Sequence, residues 1–128
     1  MMEFITDQQL TAVFQVVIGL SVIRVWTMNF NKPTPWRGGG AQNMKEEFTV
    51  YGLPDWMVYL VGTLKVVFSI GLIAGLWIPD LVKFSASGIA ILMFFAILMH
   101  VKIKDPVKKS IPALIFMTLS LLIIFLEN

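Results

Sequence analysis

Apolar residues form four long runs along the chain, separated by shorter polar segments. The runs cover about residues 10–28, 56–78, 81–100 and 111–126. A membrane-spanning helix needs roughly 20 mainly apolar residues, and the short fourth run spans if the bilayer thins or its ends snorkel. Because backbone inside a bilayer must satisfy its own hydrogen bonds, the pattern predicts an all-α fold, a four-helix transmembrane bundle. No internal repeat is visible, so residues 1–128 are treated as a single membrane domain.

The longest polar segment, residues 29–54, joins the first two runs. Its prolines and the glycine run at 38–40 exclude a continuous helix. Residues 42–48 are compatible with a short helix at the membrane interface, and the sequence Tyr51-Gly52-Leu53-Pro54 predicts a turn. Loops this long are usually functional or mobile, and these glycines and prolines prevent regular backbone pairing, so we expect residues 29–50 to be more mobile than the helices.

Composition supports the membrane assignment and excludes several classes of protein. Hydrophobic residues make up 57% of the chain and charged residues 14%, where about 25% charged is usual. So few charges cannot cover a small soluble domain, and they form no basic stripe for nucleic acid. The absence of cysteine and the single histidine exclude a disulfide and a metal cluster within one chain. We expect no catalytic residue, and whether the chain takes part in an enzyme stays open.

Basic residues are distributed unevenly between the two sides of such a bundle. The first and third connectors contain Lys32, Arg37, Lys45, Lys102, Lys104, Lys108 and Lys109, whereas the opposite side has only Lys83. Short loops rich in lysine and arginine stay in the cytoplasm. The bias predicts an integral protein of a bacterial cytoplasmic membrane with both termini outside.

Lys65 is the polar residue that lies deepest in a predicted span. It is roughly 13 Å beyond Trp56 at 1.5 Å per residue, close to the middle of the membrane. Gly62 and Ser69 share its helix face, and no span contains an acid to pair with it. Three explanations stay open: the buried amine is neutral, it reaches a loop acid such as Glu46 or Glu47, or it binds an anionic or carbonyl-bearing ligand. A snorkelling lysine is the alternative to a polar cavity.

Other polar residues near the same end complete the candidate cavity. Arg24 either anchors the first span at the interface or contributes to the site. His100 ends the third span, where a histidine often interacts with the helix dipole. The candidate ligand-binding or cavity residues are therefore Lys65, Arg24, His100, Tyr59 and Ser69.

Small residues at four-residue spacing predict close helix packing. Gly71 and Gly75 form such a pair in the second span, and Ala86 and Ala90 form another in the third. Small residues let helix backbones approach in a bilayer. We expect these contacts within one bundle, although a homo-oligomer is also open.

Several short motifs resemble the DoxX-like family of small bacterial membrane proteins. They are Tyr51-Gly52-Leu53-Pro54-Asp55-Trp56, Gly62-Thr63-Leu64-Lys65, Gly71-Leu72-Ile73, His100-Val101-Lys102-Ile103-Lys104-Asp105-Pro106, Lys108 and Ile111-Pro112-Ala113. The similarity covers about residues 51–128, with a looser fit for the first span. It implies a four-helix membrane fold. Many relatives have an acid in the second span where this chain has Lys65, so no catalytic residue is carried over.

The resemblance and the residues together suggest three functions. The first is a non-catalytic accessory or assembly subunit of a larger membrane complex, as some relatives resemble assembly factors, including a receptor-assembly chaperone. The second is a quinone-linked redox component, because founding members resemble subunits of a thiosulfate:quinone oxidoreductase. In that case Lys65, Tyr59 and His100 bind the quinone carbonyls, and a partner supplies the electrons. A small transporter is the third and least favoured, because the chain has neither an inverted repeat nor a broken helix.

Overall fold

The computed structural model describes residues 6–127, and this part of the chain is all-helical. Its helices are α1 (Asp7–Trp26), α2 (Met44–Tyr51), α3 (Asp55–Ala74), α4 (Asp80–Lys102) and α5 (Ile111–Leu126). Helices α1, α3 and α4, together with the continuous segment Val107–Leu126, are long and apolar enough to cross a membrane. The predicted all-α class with four membrane-spanning helices is therefore confirmed.

The ends of three spans differ from the ends of the apolar runs: α4 is longer by one residue at its start and two at its end, and α1 and α3 differ most. Helix α1 begins at Asp7, not at residue 10, because the Thr6 side chain accepts a hydrogen bond from the Gln9 amide and the Gln9 side chain accepts one from the Thr6 amide. It ends at Trp26, not at residue 28. Helix α3 ends at Ala74, not at residue 78, because the Leu76 and Trp77 amides bond three residues back and tighten the chain into a turn.

The four spans form a ring in which α1 contacts α3 and α5, and α4 contacts α3 and α5. Each span contributes a fully buried leucine or isoleucine to the core, and these are Ile18, Leu72, Ile89 and Ile123. Helices α1 and α3 are also joined by a hydrogen bond, since the Gln15 side-chain amide donates to the Leu72 carbonyl at 2.8 Å. This core fills the bundle at the end away from α2.

The connector between α1 and α3 folds back over the other end of the bundle, which we call the α2 end. The short helix expected at residues 42–48 is α2, which begins after Asn43, whose side chain accepts a hydrogen bond from the Glu46 amide. Gly52 ends it in the left-handed region, with φ +83°. Met44, Phe48 and Tyr51 are buried against α3. These contacts pack α2 against the bundle, and the greater mobility expected of residues 29–50 stays a prediction.

Candidate functional site

A cavity of about 630 Å³ lies in the bundle beneath α2. Most of its wall is apolar, and every helix contributes to it: Val22 and Trp26 from α1, Met44 and Phe48 from α2, Met57 and Val61 from α3, Met93 and Ala96 from α4, and Ala113 and Phe116 from α5. The polar side chains on the wall are few and lie mainly toward the α2 end. A concave, mainly apolar space with a few polar groups is the usual form of a small-molecule site.

Lys65 extends from the middle of α3 into this cavity. Its Nζ lies 5.4 Å from the centre of the Trp26 ring, within cation–π range. Among residues 6–127, no hydrogen bond or ion pair involves the Lys65 side chain. Of the loop acids considered as partners, Glu46 bonds to Asn43 and to the Gln42 amide, and Glu47 is held by other groups described next. The amine therefore faces the cavity with no described acid in hydrogen-bond or ion-pair contact, and Glu47 acts on it only through space.

A buried ion pair between Arg37 and Glu47 forms the roof of the cavity. Arg37 Nη1 donates to Glu47 Oε1 at 3.0 Å. Glu47 Oε2 accepts from the Tyr51 hydroxyl at 2.7 Å and from the Gly38 amide at 2.9 Å. Helix α2 puts Glu47 and Tyr51 on one face because they are four residues apart. Gly38 fits because a Cβ there would lie 2.6 Å from the Tyr51 ring.

The remaining donors of Arg37 hold the connector in place. Its Nη2 donates to the carbonyl oxygens of Asn29 at 2.7 Å and Lys32 at 2.9 Å. Two lysines from the chain around the connector between α4 and α5 add to the roof. Lys102 Nζ, at the end of α4, donates to the Tyr51 carbonyl, and Lys109 Nζ donates to the Arg37 carbonyl, each at 2.7 Å. The roof is therefore fastened to both connectors.

His100 lies on the cavity wall beside this roof. Its Nδ1 donates to Asp105 Oδ2 at 2.7 Å, and Asp105 Oδ1 accepts from the Gly39 amide at 3.1 Å. The His100 and Tyr51 rings meet edge to face, with centres 5.8 Å apart. Within the described part of the chain, no group bonds to His100 Nε2. A carboxylate on one ring nitrogen orients the imidazole and leaves the other nitrogen for a ligand.

The environment of Tyr51 disfavours its ionised form. Burial raises the pKa of the Tyr51 hydroxyl well above its ordinary value near 10, and the neighbouring Glu47 carboxylate raises the pKa further. Tyr51 therefore stays a hydrogen-bond donor to Glu47 at physiological pH.

The structure brings together only two of the five residues expected in the cavity. Lys65 and His100 both line it. Arg24 is exposed near the end of α1, and Tyr59 points outward, where Lys45 Nζ lies 5.5 Å from its ring centre. Ser69 is fully buried in α3, and its hydroxyl has no hydrogen-bond partner among the described residues. Arg24, Tyr59 and Ser69 are not on the cavity wall.

The small residues noted in the sequence lie between helices of the same chain. A Cβ on Gly71 would overlap the Ser85 hydroxyl of α4, and one on Gly75 would lie 2.5 Å from Val82 Cγ2. Ala86 and Ala90 are buried in α4. Gly62, noted only as a neighbour of Lys65, lies directly against the Trp26 ring.

The roof formed by Arg37, Glu47 and Tyr51 is not evident from the sequence. Arg37 was counted only as a topology signal, Tyr51 only as part of a turn, and Asp105 only as part of a motif. The available signal was the four-residue spacing of Glu47 and Tyr51 on a short helix that follows a glycine run. That spacing puts a carboxylate and a hydroxyl within reach of each other, but it does not reveal Arg37 as their partner.

Comparison with protein families places this site within a matched segment. The model of the DoxX-like family matches residues 37–123, which is more than half of the chain. The match begins at Arg37 and includes Glu47, Tyr51, Lys65 and His100, while α1 lies outside it. Comparisons with curated proteins and with solved structures found no match.

Proposed function

Because the chain belongs to the DoxX-like family and is an integral membrane protein, we propose that it is a non-catalytic accessory or assembly subunit whose cavity binds a small amphiphilic molecule. The observation that supports this proposal is the Lys65 amine, which faces a mainly apolar cavity with no acid of residues 6–127 in hydrogen-bond or ion-pair contact. A cation at this depth is costly unless it has a partner or water. A bound group with acceptor oxygens removes that cost.

The wall suggests the chemistry of the ligand. Its body is apolar, because aliphatic, aromatic and methionine side chains form most of the surface. The ligand's polar group is an anion or a carbonyl oxygen, because the Lys65 amine offers only donors. Methionines such as Met57 and Met93 adapt to ligands of different shape.

The same proposal includes an orientation. We place the α2 end in the cytoplasm and both termini outside, because the two connectors at that end contain most of the basic loop residues. Such a protein would belong to a bacterial cytoplasmic membrane. The roof and the exposed lysines around it would then face a cytoplasmic partner of the larger complex.

A quinone-linked redox component is the second candidate, and two polar side chains on the cavity wall favour it. A quinone has two carbonyl oxygens on an apolar ring; Lys65 would donate to one, and His100 Nε2 would donate to the other when His100 is the imidazolium paired with Asp105. The residues present therefore fit such a molecule. A bound quinone would supply electron acceptance, and this chain would supply its binding groups while a partner delivers the electrons.

Mass spectrometry of the protein, extracted together with its surrounding native lipids, tests whether the cavity binds a small molecule. We extract the protein with its lipids, identify small molecules that remain bound, and repeat the measurement with Lys65→Leu. Lys108→Leu is the matched control, because Lys108 is exposed and off the cavity wall. We expect Lys65→Leu to fold but lose the bound molecule, Lys65→Arg to retain part of it, and Lys108→Leu to retain it fully. Equal occupancy in Lys65→Leu and wild type would contradict the proposal.

The accessory role and the quinone alternative need separate measurements. Co-purification of the protein with a larger membrane partner supports the accessory role, whereas a partner-free protein with its own activity contradicts it. For the alternative, a short-chain quinone analogue should bind the reconstituted complex and lose affinity with Lys65→Leu. If the analogue does not bind, the quinone alternative is wrong. Other amphiphiles are still tested by the mass-spectrometry experiment.

A further inference from the structure

A second depression lies on the outside of the bundle, between α1 and α3. This groove has a volume of about 410 Å³ and is lined by Trp26, Phe30, Tyr59, Gly62, Thr63 and Val67, together with Val58 and Val66. Tyr59, Thr63 and Val67 are exposed and therefore face the lipid. An apolar groove at this position is filled by hydrocarbon in a bilayer.

Trp26 belongs to the wall of both the groove and the cavity. Its ring packs directly on Gly62, where a Cβ would lie 2.6 and 2.7 Å from two ring carbons. A glycine is therefore needed for the ring to occupy this place. Lys65 is one helical turn further along α3, and its Nζ lies 5.4 Å from the ring centre. The ring separates a lipid-facing groove from the amine in the cavity.

Packed residues occupy both ends of the cavity, while its wall also includes the exposed side chains of Val25, Trp36 and Phe95. At the α2 end, Arg37 and Glu47 are buried and hydrogen-bonded beneath a connector that Lys102 and Lys109 hold down. At the other end, the fully buried core side chains of all four spans fill the bundle. A route between helices therefore leaves both the roof and the core undisturbed.

We propose that the groove between α1 and α3 is the entrance to the cavity from the bilayer, and that the Trp26 ring is the movable wall between them. This inference rests on the proposed function, because it assigns the route and the class of the same ligand. The ligand is a lipid-soluble amphiphile, not a water-soluble metabolite. Its polar group lies at Lys65, and its hydrocarbon part occupies the groove beside Gly62 and Val66.

The absence of cysteine allows a direct test of the route. A single reporter, Ala113→Cys, places a thiol on a buried part of the cavity wall in α5. The protein in lipid vesicles is treated with a lipid-soluble maleimide or with a charged, membrane-impermeant one. Adding Trp26→Ala should raise the rate of labelling by the lipid-soluble reagent about tenfold, as expected for a barrier lowered by ~1.4 kcal/mol. Trp26→Phe should give a smaller increase.

The control thiol is Ile91→Cys, which is exposed to lipid on α4 and should react at the same rate with or without Trp26→Ala. An unchanged rate at Ala113→Cys in the Trp26→Ala background would overturn the proposal. Equally fast labelling of Ala113→Cys by the charged reagent would also overturn it, because water would then reach the cavity freely. Loss of the bound molecule with Lys65→Leu tests the proposed function separately, since it involves no entry rate.

A measurement without a change at Trp26 covers the case in which Trp26→Ala does not fold. The other tryptophans, Trp36, Trp56 and Trp77, are exposed, so replacing them by phenylalanine leaves Trp26 as the only tryptophan. Vesicles of phosphatidylcholine with brominated acyl chains should quench its fluorescence, whereas aqueous iodide should not. Quenching by iodide alone, or by neither, would contradict contact between the Trp26 ring and hydrocarbon in the groove.

Discussion

Arg37 and Glu47 form an ion pair that is almost fully removed from solvent, with Glu47 also accepting from Tyr51 and Gly38. Breaking a buried pair leaves one charge uncompensated, which typically costs about 3–5 kcal/mol. We therefore expect Arg37→Met to lower the free energy of unfolding by about that amount in detergent. Lys32→Met removes a charge from an exposed residue of the same connector and should change stability by less than about 0.5 kcal/mol.

The double variant Arg37→Met with Glu47→Gln identifies the physical cause. A neutral amide at position 47 still accepts from Tyr51 and Gly38 but leaves no unpaired charge. Most of the lost stability should therefore return in a double-mutant cycle. An additive loss in the double variant would show that packing of the guanidinium, not its charge, stabilises the roof.

Tyr51 makes stability depend on pH at the alkaline end. Its pKa is raised in the folded protein, mainly by burial and then by Glu47. Above about pH 10 the unfolded chain loses this proton while the folded chain keeps it, so folding stability falls by up to about 1.4 kcal/mol per pH unit. Below pH 10 both states are protonated and the contribution is constant.

The phenolate absorbance of a Tyr59→Phe variant measures this effect, because Tyr51 is then the only tyrosine. We expect no ionisation in the folded protein up to about pH 11, and ordinary ionisation after unfolding. Tyr51→Phe should remove the alkaline loss of stability. A normal titration of the folded Tyr59→Phe variant would contradict a buried Tyr51.

For single residues, the sequence identifies those whose type is unusual for the segment in which they lie. Lys65 is recognisable because a charge in the middle of an apolar run needs a partner or a cavity. Arg37 and Glu47 are not, because charged residues in a polar connector look the same whether they are solvated or buried. Their burial depends on the connector folding over the bundle, and no local pattern shows that.

Among the elements, α3 and α4 are in close contact where Gly71 meets Ser85. Any side chain at position 71 must displace the Ser85 hydroxyl or separate the helices, so Gly71→Ala should destabilise the bundle by about 1–3 kcal/mol. Thermal unfolding in detergent measures the loss. In a Ser85→Gly background the same change should cost much less, because the opposing side chain is absent. An equal loss of stability in both backgrounds would show that the effect of Gly71→Ala does not arise from contact with Ser85.

The spans themselves are predictable from their apolar runs, whereas their ends are not. The Thr6 and Gln9 side chains extend α1, and consecutive short-range backbone bonds end α3 at Ala74. Such local hydrogen bonds move a boundary by a few residues without changing hydropathy. Helix α2 was expected only as a possibility over residues 42–48, because a segment this short gives no clear amphipathic pattern.

For the whole molecule, the proposed orientation can be measured with a reporter that is active only in the cytoplasm. Inserted after Val107, which is highly exposed on the connector between α4 and α5, it should be active. Fused after the last residue, it should be silent. Val107 is preferable to the glycine run, because the Gly39 amide is bonded to Asp105. The reverse pattern would invert the proposed topology.

The cavity belongs to the whole molecule and was predictable only in part. Sequence placed Lys65 and His100 near one end of the bundle, because both lie on that side of their spans. It did not separate them from Arg24 and Tyr59, because the direction of a side chain depends on how each helix is rotated in the bundle. Trp26 shows the same limit. In the sequence it resembles any aromatic residue near a membrane interface, and only the structure shows that its ring packs on Gly62.

The roof has a consequence for how the protein is made. Arg37 and Glu47 are ten residues apart and can pair as soon as the first connector has been synthesised. The bonds from Lys102 to Tyr51, from Asp105 to Gly39 and from Lys109 to Arg37 span 51 to 72 residues. They must wait until α4 has been translated and inserted. The cavity therefore acquires its closed end late in biogenesis, and a nascent chain that stops before α4 should expose the Gly39 amide to rapid hydrogen exchange.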